Sequence, residues 1–250
     1  MSVAVRWLGI NALEFRHSRG SFMIDPYVSR NPVKLTVSDE VDRYLHGPAD
    51  FILMTHSHWD HLPDVPRVIA HSGATLYASK TACAIMRKVG VPEQHLHELT
   101  YGEVLNLPGE VRVTALESRH MEPTGAPGCY QSVPTVSMQA RAHWLCGEVF
   151  AFLIEVEGQR ILNIGSANFH LPALDQQHCD HFFCGISRWK PGFPELLGHI
   201  TFRHFYPTHH DDFVHPLREF ALRDDYIRLK TALPDLTGNE LPVLEWLELS

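Results

Sequence analysis

Short apolar and alternating runs, divided by Gly, Pro, Asn and Ser turns, dominate the chain and predict a strand-rich fold. Val3 to Leu8, Ala12 to Arg16 and Ser21 to Ile24 are separated by Gly9-Ile10-Asn11 and Ser18-Arg19-Gly20. They read as an antiparallel meander that Asp25-Pro26 ends. Phe51-Ile52-Leu53-Met54 is apolar at every position, the pattern of a strand buried on both faces. Ala74 to Ala78 reads as a strand, and Ser79 as the N-cap of a helix over Lys80 to Val89. Gly102 to Leu107 and Val111 to Leu116 predict a strand pair around Pro108-Gly109. Val149 to Val156 and Arg160 to Ile164 predict a hairpin around Glu157-Gly158-Gln159. Phe182 to Ile186, Phe202 to Tyr206 and Val243 to Leu249 are further strands, while Leu196-Leu197 and Leu217 to Leu222 suit helices. Residues 122–134 are rich in Pro and Gly without periodicity, and a loop this long is usually functional. The two halves repeat a strand-then-helix order. This predicts a layered α/β sandwich, with residues 1–250 folded as one domain.

Composition narrows the function classes. The chain has 250 residues, 44% hydrophobic and 20% charged, enough for a substantial core. Its net charge of −8 disfavours a nucleic-acid partner, which demands a basic surface. No apolar run reaches the ~18–20 residues of a membrane span, so a membrane role is not expected. Met1 to Gly9 reads as a strand and not as a signal peptide. Cys83, Cys129, Cys146, Cys179 and Cys184 are scattered without a CxxC pair, which predicts reduced thiols in a cytoplasmic protein. Histidine is the anomaly, at 18 residues, and it directs attention to metal-ligand spacing.

Thr55-His56-Ser57-His58-Trp59-Asp60-His61 follows the buried strand directly. On extended backbone, alternate side chains share a face, which would aim His56, His58 and Asp60 the same way, with His61 added at a turn. Imidazoles suit Zn or Fe, and a carboxylate widens the choice to Mn. Four candidate ligands within six positions at a strand end predict a metal site.

The His-x-His-x-Asp-His pattern resembles the signature of the metallo-β-lactamase superfamily. Trp7-Leu8-Gly9 and Ile24-Asp25-Pro26-Tyr27 resemble the opening strands of its branch containing ascorbate-6-phosphate lactonase and N-acyl-phosphatidylethanolamine-type phospholipase D. The resemblance implies a four-layer αββα sandwich with the metal site in the cleft between its sheets. It implies His120, after Val111 to Leu116, as a third ligand, and His209 in Tyr206-Pro207-Thr208-His209 as a last one; His210 is the adjacent alternative. His56, His58 and His120 would then hold one ion, and Asp60, His61 and His209 a second.

The sequence departs from the family at one point. Ile164-Gly165-Ser166-Ala167-Asn168 stands where the resemblance implies a metal-bridging aspartate, and Ser166 occupies that position. A neutral hydroxyl is a poor bridge and supplies no charge. Asn168 or His170 would substitute only with a changed loop. Three readings follow: a one-metal hydrolase, a two-metal hydrolase with a neighbour filling in, and a family member that binds metal or senses a ligand without hydrolysis.

The mechanism implied is hydrolysis of an ester, lactone or phosphoester by a metal-activated hydroxide, with zinc, in one or two ions, the first choice of metal and Mn or Fe also accepted. Asp60 would orient the nucleophile and take its proton. With the second ion absent, Asp60 and His61 would act as general base and acid. Arg141, His143, Arg188, Trp189 and Lys190 are candidates to flank the pocket, with the cations meeting an anionic small-molecule substrate; taken singly, Arg141, Arg188 and Lys190 read more readily as solvated surface charges. Trp59 is a candidate pocket wall or a support under the loop, and Tyr27 a candidate at the mouth or in the core. Asp211-Asp212 would orient a ligand imidazole or cap a helix from His215 to Leu222.

Overall fold

A computed structural model describes residues 2–30, 39–120, 146–165, 168–186, 193–212, 215, 217, 224–233 and 240–250. The N-terminal half supplies β1 (Val3–Trp7), β2 (Leu13–His17), β3 (Gly20–Ile24), α1 (Asp39–Asp42), β4 (Phe51–Leu53), α2 (Val65–Ser72), β5 (Thr75–Ala78), α3 (Lys80–Lys88) and β6 (Leu96–Glu98). The second half supplies β7 (Val104–Leu107), β8 (Val111–Glu117), β9 (Phe150–Val156), β10 (Gln159–Ile164), α4 (Leu171–Leu174), β11 (Gln177–Gly185), α5 (Phe193–His199), β12 (Ile200–Thr208), α6 (Asp224–Ala232) and β13 (Trp246–Leu249). Seven strands form one sheet in the order β13-β1-β2-β3-β4-β5-β6, and six form the other in the order β12-β11-β10-β9-β8-β7. The last strand therefore returns to pair antiparallel with the first, Val3 opposite Leu249.

Alternation along the strands builds the layers. Val5, Trp7, Phe15, Phe22, Ile24, Phe51 and Leu53 of the first sheet share one core with Phe150, Phe152, Ile154, Phe183 and Tyr206 of the second. Their intervening neighbours face outward. Met23, Ile52, Met54 and Leu76 meet Val65, Val68, Ala82 and Met86 of α2 and α3. On the far side, Ala151, Leu162, Phe182 and Phe205 meet Leu174, Leu196, Tyr226 and Leu229 of α4, α5 and α6. The result is an αββα sandwich, as expected. The continuous apolar run at β4 is explained by burial on both faces.

Local chemistry sets several boundaries. The Ser79 side chain accepts a hydrogen bond from Ala82 N at 3.0 Å, capping α3. Glu157 and Gly158 have φ of +49° and +79°, the two left-handed residues of a tight hairpin between β9 and β10. Pro207 lies on β12, an edge strand, where a missing N–H is tolerated. β11 and β12 run longer at their N-terminal ends than the apolar pattern predicts, because parallel pairing of Gln177 with Ile200 continues past the apolar core. The predicted helix over 217–222 and the loop over 122–134 fall wholly or largely outside the described residues. Among the described residues, no helix is long and apolar enough to cross a membrane.

Candidate metal centre

The strand ends of both sheets converge on one edge of the sandwich. β3 delivers Asp25, β4 the 54–61 segment, β8 His120, β10 Gly165, and β12 His209. β4 ends at Leu53, three residues before His56, so strand alternation is not what aims the motif. A turn does: the His58 carbonyl accepts from both His61 N and Leu62 N, at 3.1 Å each. That turn separates Asp60 and His61 from His56 and His58. Backbone bonds tie the motif to the second sheet, with Phe150 N donating to Thr55 O at 2.8 Å and Ser57 N to Cys146 O at 3.1 Å.

Two donor clusters result. In the first, the rings of His56, His58 and His120 lie 4.4–4.8 Å apart, centre to centre. His58 Nδ1 is 3.1 Å from His120 Nε2. Two nitrogens held at ~2.0–2.1 Å by one tetrahedral ion would be about 3.3 Å apart. In the second, ligand atoms of Asp60, His61 and His209 lie within 4.8 Å of one another. The His209 Nε2 to Asp60 Oδ2 distance is 3.5 Å, and His61 Nε2 to Asp60 Oδ1 is 3.9 Å. His56 and His61 link the clusters, their ring centres 4.0 Å apart.

The orientation of these rings is fixed from behind. Asp25, fully buried at φ +42°, is the hub. Its Oδ1 accepts from Thr55 N at 2.7 Å, while its Oδ2 accepts from Asn11 Nδ2 at 2.8 Å and from the Thr55 hydroxyl. His61 Nδ1 lies 2.8 Å from the same Oδ2 and donates to it. With its own proton committed to Asp25, Thr55 Oγ1 is the acceptor for His56 Nδ1 at 3.0 Å. Among the described residues, the other ring nitrogens, His56 Nε2 and His61 Nε2, are buried with no hydrogen-bond partner. A buried polar atom left without a partner costs ~1–3 kcal/mol. Both nitrogens belong to groups of donor side chains whose ligand atoms lie within 4.8 Å of one another, and a cation there would satisfy them, so the residues present fit a metal.

The sequence profile of the Beta-lactamase superfamily domain matches residues 21–211. The chain belongs to the metallo-β-lactamase superfamily. It is similar to a UPF0173 metal-dependent hydrolase of Methanopyrus kandleri, at 30% identity over 46% of this chain and 46% of that one. The matched segment thus spans about half the length of that relative. Among solved structures it resembles Igni18, a metallo hydrolase of Ignicoccus hospitalis, with TM-score 0.62 and 14% identity over 100% and 99% of the two chains. It also resembles the metallo-β-lactamase fold protein YhfI of Bacillus subtilis, with TM-score 0.61 and 14% identity over 99% of each. At such identities these two likenesses concern the fold.

Electrostatics in this superfamily member divides the histidines. Burial, then the neighbouring imidazoles, pushes His56 well below its ordinary pKa, and burial pushes His58 down to about 4. Both rings are therefore neutral at pH 7, as ligation requires. Burial also works against a charged His61, but Asp25 and Asp60 outweigh it and raise its pKa. For Asp60, burial favours the neutral acid, yet His61 and His209 outweigh it and hold the carboxyl well below the usual range.

Other expectations meet mixed outcomes. His210 does not join the cluster: its ring stacks between Trp7 and Tyr226, both 4.7 Å away. Asp211 orients no ligand imidazole. It accepts from Ile10 N at 2.9 Å and pairs with buried Arg30, clamping the loop that carries His209 to the β1–β2 turn. His209 N in turn donates to Ile10 O at 2.7 Å. Asp212 Oδ1 caps a local turn by accepting from His215 N. Asn168 donates to the His120 carbonyl at 2.8 Å, and His170 faces Glu117, so neither replaces the bridging aspartate. Tyr27 is fully buried, with its ring edge-on to Trp59 at 6.3 Å, and Trp59 packs partly buried against the α2–α3 core. Ser166, Arg141, His143, Arg188, Trp189 and Lys190 lie outside the described residues. Sequence reasoning noticed Asp25 as a strand breaker and missed it as the hub. It also missed Cys146, whose thiol lies with His56 and His58, ligand atoms all within 4.8 Å of one another.

Proposed function

We propose that the chain is a metal-dependent hydrolase of a small-molecule ester, lactone or phosphoester, acting through two cation positions. One observation carries this reading. Two ring nitrogens, His56 Nε2 and His61 Nε2, are buried without a hydrogen-bond partner among the described residues, beside the donor side chains of His58, Asp60, His120 and His209, and their opposite nitrogens are engaged by Thr55 and Asp25. When bound, the metal supplies a water acidified to a pKa near 7 and a Lewis acid for the attacked oxygen.

The chain's own residues do the rest. Asp25 holds His61 in the tautomer that presents Nε2 forward, and Thr55 does the same for His56. Asp60, ionised and between His61 and His209, positions the nucleophile by accepting its hydrogen. A carboxylate of such low proton affinity is a weak base, so Asp60 orients the nucleophile more than it stores its proton. The lactonase-like sequence resemblance favours a lactone or an anionic sugar ester. The described cysteines, Cys83, Cys146, Cys179 and Cys184, are free and buried, which supports a reducing, cytoplasmic setting.

The test is His58→Ala, assayed by elemental analysis and against a panel of lactones, esters and phosphodiesters. Loss of metal together with loss of turnover is expected. Turnover retained by a metal-free His58→Ala preparation refutes the mechanism. A wild-type protein that holds metal and turns over nothing in the panel favours the binding-module reading.

A further inference from the structure

The geometry points to Cys146 as a thiolate ligand of the ion held by His56 and His58, an inference that rests on the metal-centre reading above. Cys146 is fully buried, and its carbonyl accepts from both Ser57 N, at 3.1 Å, and Ser57 Oγ, at 3.0 Å. The residue between the two histidines thus pins Cys146 against them. Gly147 follows at φ +65°, and a Cβ there would come within 2.5 Å of Thr81, so the backbone leaves Cys146 in a direction only glycine accommodates. Cys83 and Cys184 direct their thiols to backbone carbonyls at 3.6 Å. The Cys146 sulfur instead lies within 4.8 Å of ring nitrogens of His56 and His58.

Chemistry selects this thiol over the alternatives nearby. Asp25 also lies near His56, but its oxygens are taken by four donors from Thr55, Asn11 and His61. Asp60 faces His61 and His209. Among the described residues, that leaves Cys146 as the thiol beside His56 and His58; burial pushes it up to about 12, so it is protonated without metal and an ion would have to displace that proton. Zn–S at ~2.3 Å and Zn–N at ~2.0–2.1 Å put sulfur and nitrogen about 3.6 Å apart on a tetrahedron. Since the observed separations are within 4.8 Å, side-chain rotation has at most about 1.2 Å to close. On binding, the S–H bond breaks, its electron pair goes to the metal, and the proton leaves to solvent. A His56-His58-His120-Cys146 set is a closed four-ligand site of the kind that zinc prefers. The open coordination position then belongs to the Asp60-His61-His209 group, which places the working face of the centre there.

Cobalt(II) titration of the metal-free full chain tests this. A thiolate ligand gives an intense sulfur-to-cobalt charge-transfer band in the near ultraviolet, which should appear in the wild type and vanish in Cys146→Ser. First-ion affinity should fall by more than the ~10–100-fold that changes behind a ligand cause. X-ray absorption of the zinc-loaded wild type needs no variant and should show one sulfur at ~2.3 Å. Visible ligand-field bands without charge transfer, a band that survives Cys146→Ser, or an all-nitrogen and oxygen shell overturns the assignment of Cys146 and leaves the metal centre standing. No cobalt uptake at all overturns both.

Discussion

Asp25→Asn is the substitution that separates a metal centre from a mere cluster of buried histidines. The change is nearly isosteric and leaves all six side chains of the two donor clusters intact. The carboxylate accepts four hydrogen bonds, one at Oδ1 and three at Oδ2. An amide must put its NH2 at one of these places. At Oδ2 it would face Asn11, Thr55 and His61 together, so it settles at Oδ1, opposite Thr55 N–H. One buried donor is then orphaned, costing ~1–3 kcal/mol, and three bonds lose their charged acceptor. A folding loss of about 2–4 kcal/mol in the metal-free protein follows, readable by urea denaturation. The effect on metal has two parts of opposite sign. His61 loses the anion that raises its pKa, which weakens proton competition for Nε2. It also loses the partner that fixes its tautomer, freeing the proton to sit on Nε2 itself. Partners of this kind are worth ~10–100-fold in affinity, or about 1.4–2.7 kcal/mol. Measured by chelator competition at pH 9, where proton competition is smallest, the second effect dominates. The second ion should weaken by that factor, and the first, reached only through Thr55, by less. Affinity for both ions within twofold of wild type would refute the claim that Asp25 sets the ring orientation.

Two further outcomes follow from the same geometry. Loading of the Asp60-His61-His209 position should steepen with acidity, because the ion must expel a proton from His61, whose pKa is raised. Affinity should fall about tenfold per pH unit below that pKa and level off above it; at the other position His56 and His58 are already neutral, so any slope there would come from the Cys146 thiol. In the metal-free protein the same shift stabilises the fold fully below the unfolded imidazole value of ~6.5 and is lost as pH rises through the folded one. Calorimetry in buffers of different ionisation enthalpy counts the proton, and pH-independent loading of the second ion between 6 and 8 would refute it. Gly165→Ala should lower metal affinity without touching a ligand, since the new Cβ would lie 2.5 Å from Thr55 Oγ1 and 2.7 Å from Asn11 Nδ2. Overpacking of this kind costs ~1–3 kcal/mol, and unchanged chelator competition would show that Thr55 and Asn11 have room to move.

The parts of the fold readable beforehand are those where periodicity reports burial directly. The β1–β3 meander, the doubly buried β4, the capped α3 and the β9–β10 hairpin each carry a local signature. Helix α2 does not: Pro66 near its start and polar residues on its outer face hide a stripe of Val65, Val68 and Ile69. The candidate ligands His56, His58, Asp60 and His61 were legible because they fall in one short motif, whereas His120 and His209 were reached only through the family resemblance. Asp25 and Cys146 were not legible, because each reaches the centre through tertiary placement. Asp25 is 30 residues from the Thr55 it holds, and Cys146 is 89 from the Ser57 that pins it.

That distribution has a physical consequence. Asn11 donates to Asp25 on the first sheet and exchanges amide bonds with Asn163 on the second, while its carbonyl also accepts from Thr208, one residue before His209. A single amide between β1 and β2 therefore couples the hub that sets His61 to the strand that delivers His209. The two sheets meet at this edge through polar groups, unlike the aromatic core beneath it, where Phe15, Phe22, Phe183 and Tyr206 exclude water. Ordering the network needs both sheets in place, so the second cation position exists only in the assembled sandwich. Metal that binds there stabilises the packing of one sheet on the other by its own binding free energy, since the unfolded chain offers no such site. The proposed centre would thus be a joint between the sheets, and its polar frame is what would keep that joint specific.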